Sequence, residues 1–125
     1  MQRRRLLAWA IATGLLTPGR ALTAPPASVR VEVEFLLSSI QGSGCLFLRN
    51  GTWHDGAAAA THLREKFDVL MLRGRITRTE DFIEGAATRS SFSGLPYAVQ
   101  CAGSESVTSE RWLRDRLARH RAGDG

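Results

Sequence analysis

The chain is poor in the elements that common chemistries need. It has two cysteines, and they are too far apart for a Cys-x-x-Cys metal or redox pair. It has no Gly-x-Ser-x-Gly, which removes the sequence signature of an α/β-hydrolase nucleophile. Lysine occurs once, as Lys66. Because all other basic side chains are arginine, that bias reads as genome composition before it reads as anion recognition. No segment repeats. The one long apolar run, Leu6 to Leu16, is about a dozen residues, where a bilayer span needs about 20.

That run carries a different meaning. It follows Arg3, Arg4 and Arg5 and precedes the mostly small residues Gly19 to Ala24, which is the anatomy of a secretory signal peptide. Residues 1–24 are therefore expected to be a signal, cleaved after Ala24 or, next best, after Ala21. The competing reading is an uncleaved membrane anchor. A loose twin-arginine likeness is what any arginine-rich head produces, and no cysteine stands at the cleavage site to take a lipid. The expectation is a periplasmic or secreted protein with no stable membrane insertion after cleavage. Residues 25–125 would then form a single α+β domain.

The signal also explains the charge. The whole chain is +5, but Arg3, Arg4, Arg5 and Arg20 precede the cut and no acid does. Thirteen cations against twelve acids remain, a net +1. With export, that near-neutral balance argues against a nucleic-acid partner. An exported chain with an even number of cysteines points to a disulfide, here Cys45 with Cys101.

Val29, Val31, Val33 and Phe35 alternate like a strand, but Val29, Val33, Leu36, Leu37 and Ile40 make a helical stripe. The length of the pattern before Gly42-Ser43-Gly44 favours helix. Cys45 to Arg49 reads as a strand, Asn50-Gly51 as a two-residue hairpin turn, and Thr52 to His54 as the returning strand. Leu46, Leu48 and Trp53 share one face of this hairpin, which is assigned to the helices. Asp55 to Arg73 is the longest helical pattern. Asp55 caps it, Gly74 ends it, Ala60, Leu63, Phe67, Leu70 and Met71 form its apolar stripe, and Arg64 and Asp68 form a solvated pair opposite. A shorter helix over Thr77 to Ala87 takes Thr79 as its cap.

After a turn-rich stretch, Leu95 to Cys101 reads as a third strand. Placed antiparallel to the first, in the register that lets the cysteines meet, it sets Phe47 opposite Val99 and Arg49 opposite Tyr97. Ala102 to Val107 is expected to be a linker, and Ser109 to His120 a final arginine-rich helix docked by Trp112. The architecture expected is a small three-stranded antiparallel sheet packed on one side by about four helices.

Several blocks occur in order: Cys45-x-Phe47-x-Arg49-Asn50-Gly51-x-Trp53, Ala60-x-His62-Leu63-Arg64-x-Lys66, Thr79-Glu80-Asp81-Phe82-Ile83, and Ser90-Ser91-x-Ser93-Gly94-x-Pro96-Tyr97. In this combination, spanning about Val29 to Arg119, the chain resembles the YfeK-like family of small exported bacterial proteins, a domain of unknown function. The resemblance implies export and a single domain. It brings no catalytic residues, and the cysteine pair looks optional in that family, which implies a stabilising role for it here.

Three chemistries can be set against the residues. A serine nucleophile would be Ser90, Ser91 or Ser93, with His62 as base and Asp55 or Asp81 orienting it; serines between a helix and a strand more commonly make turns. A metal site would start from His62-x-x-Glu65 with His54, short of the array that zinc requires. A binding patch would combine Arg49, Asn50, His62, Arg64, Ser90, Ser91 and Tyr97, and would suit an anionic ligand, a glycan or an envelope protein. No catalytic residue, metal ligand or cofactor is assigned. The expected function is that of a non-enzymatic binding or interaction module; the alternative is a small hydrolase acting on a cell-envelope component. A deep pocket with His62 bonded to a serine would favour the hydrolase, and a shallow patch the binding module.

Overall fold

In the computed structural model, which describes Gly14 and residues 25–123, the helical reading of the first segment prevails over the alternating one. The signal expected over residues 1–24, Gly14 apart, lies outside the described residues. The first helix, α1 (Ala27–Gly42), buries Val29, Val33, Leu36, Leu37 and Ile40, the helical stripe, and leaves Val31 exposed. The hairpin follows as β1 (Leu46–Arg49) and β2 (Thr52–His54). Asn50 and Gly51 both take positive φ, 50° and 78°, as a two-residue turn matched to the strand twist requires.

The central helix, α2 (Gly56–Leu72), starts where Asp55 accepts a hydrogen bond from the Ala58 N–H at 2.8 Å. It buries Ala60, Leu63 and Phe67, with Leu70 and Met71 packed at the core's margin. Its first residue has to be glycine. A Cβ on Gly56 would stand 2.3 Å from the Ile40 carbonyl oxygen, so the start of α2 can only abut the end of α1 without a side chain. The third helix, α3 (Thr79–Ala86), crosses α2 at Phe82, whose ring meets Phe67 edge-on at 5.6 Å. Thr79 is not its cap. The Asp81 carboxylate accepts from the N–H groups of Thr77 and Arg78, while Thr79 is buried and donates its hydroxyl to Glu32 at 2.5 Å. A residue inside the first turn can satisfy a neighbouring helix because a carboxylate two positions on already serves the free N–H groups.

Two further strands, β3 (Ala98–Gln100) and β4 (Val107–Thr108), complete a four-stranded antiparallel sheet of order β2-β1-β3-β4. The last helix, α4 (Ser109–Arg121), begins at once, with the Thr108 hydroxyl accepting from the Arg111 N–H at 3.3 Å. The fold is therefore α+β, four helices with a small antiparallel sheet. It gains one strand where a linker was expected, because two residues are too few to display a period of two. The expected register holds: Phe47 stands opposite Val99 and Leu48 opposite Ala98, and Leu48 faces Trp53 across the hairpin. One step beyond the ladder, Cys45 and Cys101 form a disulfide with Cα atoms 4.3 Å apart.

The assignment of faces is corrected. Leu46 is 47% and Trp53 40% exposed, whereas Cys45, Phe47, Tyr97 and Val99 are buried. The helices cover the Cys45–Phe47–Arg49 side, where Trp112 of α4 meets Phe47 edge-on at 5.8 Å. Alternation separates two faces of a strand but does not say which one is covered. Here the facing strand decides, because its larger residues, Tyr97 and Val99, share the face of Phe47.

Candidate functional site

Two turns and one helix face meet at the end of the sheet where β1 turns into β2. The hairpin register places Arg49 at the last position of β1, one step beyond the observed pair Leu48–Ala98 and so level with Tyr97. Tyr97 is fixed by its backbone: its N–H bonds to the Thr88 carbonyl at 2.9 Å, and its own carbonyl accepts from the Ser109 N–H at 2.9 Å. His62 and Lys66 stand four apart on α2 and so share one helix face. That face is turned to Tyr97. His62 Nε2 lies 3.3 Å from Tyr97 Oη, and Lys66 Nζ donates to the same oxygen at 3.2 Å and to the Arg89 carbonyl at 3.0 Å.

The segment 88–96 forms the other wall. Ser90 is buried and its hydroxyl accepts from the N–H groups of Phe92 and Ser93, both at 3.2 Å. Its own N–H bonds to the Leu95 carbonyl, and its carbonyl accepts from Gly94. Ser93 donates to the Asn50 side-chain oxygen, so this turn is tied to the hairpin turn. The result is an open groove of about 430 Å³ between them. Arg49, Asn50, His62, Ser90, Ser91 and Tyr97, six of the seven residues expected in a patch, line it together.

Arg64 is the exception. Its guanidinium grips both carboxylate oxygens of Glu34 on α1, one at 2.8 Å, and it strengthens the α1–α2 contact instead of facing the groove. Two positions from His62 along a helix is roughly the opposite side, so the two could not share a site. Lys66 and Phe92 complete the lining and were not expected from sequence. The spacing of four from His62 was the available signal for Lys66; Phe92 had none, because the turn that presents it is built by tertiary contacts. A smaller cavity of about 20 Å³ beside the groove shares Arg49, His62 and Tyr97 with it and has room for about one water.

The electrostatics of the groove are one-sided. Burial holds His62 below its ordinary pKa, Arg49 and Lys66 push the same way, Glu65 opposes and His54 adds slightly. Lys66 is also held below its usual range, by burial first and then by Arg49. Burial raises Tyr97, with Arg49 opposing. Among the described residues, neither Arg49 nor Lys66 has a carboxylate within ion-pair distance, as is also true of Arg30, Arg73, Arg75, Arg89, Arg111 and Arg116; what sets the pair apart is that both line this groove. Cations that repel one another and lack an acid favour a bound anion.

The arrangement does not assemble the serine chemistry. Among the described residues, His62 has Tyr97 and no serine as its side-chain partner. Ser90 is consumed by its turn, Asp55 caps α2, and Asp81 serves the start of α3. Nor do three His, Cys, Asp or Glu side chains gather closely enough to hold a metal ion among the described residues.

Comparison with known proteins places the chain in a family without assigning it an activity. A model described as "Family of unknown function (DUF5329)" matches residues 27–121, and the chain belongs to that family. It is also similar to the uncharacterized protein YfeK of Salmonella typhimurium, 36% identical over 67 residues, which is 53% of this chain and 54% of that protein. The chain thus matches about half the length of that relative. No solved structure matches the chain significantly.

Proposed function

We propose that this member of the DUF5329 family is a non-enzymatic binding module, exported to the periplasm or beyond, whose groove receives an anionic group of an envelope ligand. One observation carries the reading: the cations Arg49 and Lys66 converge with His62 on one groove, with no carboxylate paired to either cation among the described residues. A bound anion relieves the repulsion between the two cations, and the hydroxyls of Ser91 and Tyr97 and the Asn50 amide offer hydrogen bonds around it. The groove is open, and its histidine is bonded to a tyrosine, which supports binding over hydrolysis. Export is supported by the basic head and short apolar run at the start of the sequence and by the disulfide.

Titration calorimetry with inorganic phosphate at low ionic strength tests the site. Binding is expected, and Arg49→Ala is expected to weaken it at least five-fold. Failure of phosphate to bind, or an Arg49→Ala variant that binds as well as the parent, would overturn the proposal. Intact mass of the exported protein tests the compartment, with a chain beginning at Pro25 or Leu22 expected.

A further inference from the structure

Phe92 is the outlier on this surface. It is 95% exposed and lies on the rim of the groove. Single exposed apolar residues are ordinary on proteins, but this one is held in place. Ser90 accepts from the Phe92 N–H itself, the Ser90 and Gly94 N–H groups close the turn, and Ser93 anchors it to Asn50. The ring is therefore presented to solvent on a turn pinned at both ends, directly beside the recessed cations of the groove.

We infer that the groove is a subsite for an acidic saccharide, a sugar ring bearing a carboxylate, with Phe92 as its stacking platform. The inference rests on the anion-binding reading above and narrows its ligand class. The carboxylate enters toward Arg49 and Lys66, the ring's hydroxyls meet Asn50 and Ser91, and its apolar C–H face lies on Phe92. Such a ligand matches each feature of the groove. Lys66 and His62 are only half-exposed, so they reach an anion projected into the groove and not the flat plane of a membrane surface. A peptide would use a row of apolar pockets for its side chains, and Phe92 is the one lining side chain of the groove that carries no polar group. Its volume, about 430 Å³, is in the range of about 300–1,000 Å³ typical of small-molecule sites.

The test is calorimetry on the purified exported protein with trigalacturonate, the uncharged galactotriose, pentaglutamate and inorganic phosphate, repeated with Phe92→Ala and Phe92→Tyr. Trigalacturonate is expected to bind at least ten-fold more tightly than each of the other three. Phe92→Ala should cost that ligand about ten-fold and leave phosphate affinity and the melting temperature unchanged; Phe92→Tyr, which keeps the ring, should restore it. If phosphate binds but trigalacturonate binds no more tightly, or if Phe92→Ala has no effect, the saccharide inference falls and the anion groove stands. Pentaglutamate binding as tightly as trigalacturonate would likewise replace the saccharide with an acidic peptide. If phosphate does not bind, the anion reading falls and the saccharide inference that rests on it falls too.

Discussion

Lys66 shows how one side chain joins separate parts of the site. As the chain's single lysine it bridges α2 to the Arg89 carbonyl and to the Tyr97 hydroxyl, and it adds charge to the face that His62 already occupies. Among the described residues, Arg49 lacks such ties, and the side-chain hydrogen-bond partner of His62 is Tyr97 at 3.3 Å. Arg49→Ala and His62→Ala are therefore expected to cost no more than about 0.5–1 kcal/mol of stability, read from denaturant melts, while weakening anion binding. A loss of about 2–3 kcal/mol in both would make them structural residues. The histidine also gives the site a pH dependence. Its pKa in the folded chain lies below the ordinary 6.5, so the imidazole is neutral at pH 7. Because the unfolded chain takes up the proton first, His62 costs stability as pH falls from 6.5 through the folded value. A bound anion favours the charged ring, so affinity for sulfate, whose own charge does not change over this range, should rise over the same fall in pH. His62→Gln should flatten that rise, and an unchanged profile would remove His62 from the site.

Between elements, the seam of α1, α3 and α4 is held by charge. Glu32 of α1 accepts from Arg121 at 2.8 and 2.9 Å and from Thr79 at 2.5 Å, and Arg121 also pairs with Glu80 at 2.6 Å. The hydrogen bond from Arg121 is the main reason the Glu32 carboxyl is lowered to about 2, with burial opposing and Thr79 assisting. Lowered from 4.5, this carboxylate contributes stability that is complete above 4.5 and lost as pH falls toward 2. Glu32→Gln is expected to cost about 1–3 kcal/mol at pH 7, and the gap to the parent should close between pH 4.5 and 2. Equal gaps at pH 7 and pH 2.5 in urea titrations would show that packing, not the ion pair, is responsible.

At the scale of the whole molecule, the disulfide fastens β1 to β3, strands separated by two helices in sequence. It closes a loop across 56 residues, for which the chain-entropy model gives about 4 kcal/mol. Replacing both cysteines by alanine should lower stability by about 2–4 kcal/mol with the far-ultraviolet circular dichroism retained. Thiol labelling of denatured, unreduced exported protein should find neither cysteine free. Full labelling of both would exclude the bond.

Much of this was legible in sequence because the signals were local or pairwise. The stripe from Val29 to Ile40, the Asp55 cap and the Asn50-Gly51 turn depend on neighbours within a few residues. The requirement that Cys45 meet Cys101 then fixed a long-range register by itself, and that register brought Arg49 level with Tyr97. Six residues of the groove followed from those relations. What remained depended on what lies opposite. Which side of the hairpin is covered depends on the facing strand, whose buried Tyr97 and Val99 share the face of Phe47. Arg64 is withdrawn from the site because Glu34, thirty residues away, accepts from both its terminal guanidinium nitrogens. β4 exists only because β3 is there to pair with it. Phe92 sits on the rim because Ser90 and Ser93 bind backbone and Asn50 around it, an arrangement without sequence periodicity that only the tertiary structure could decide.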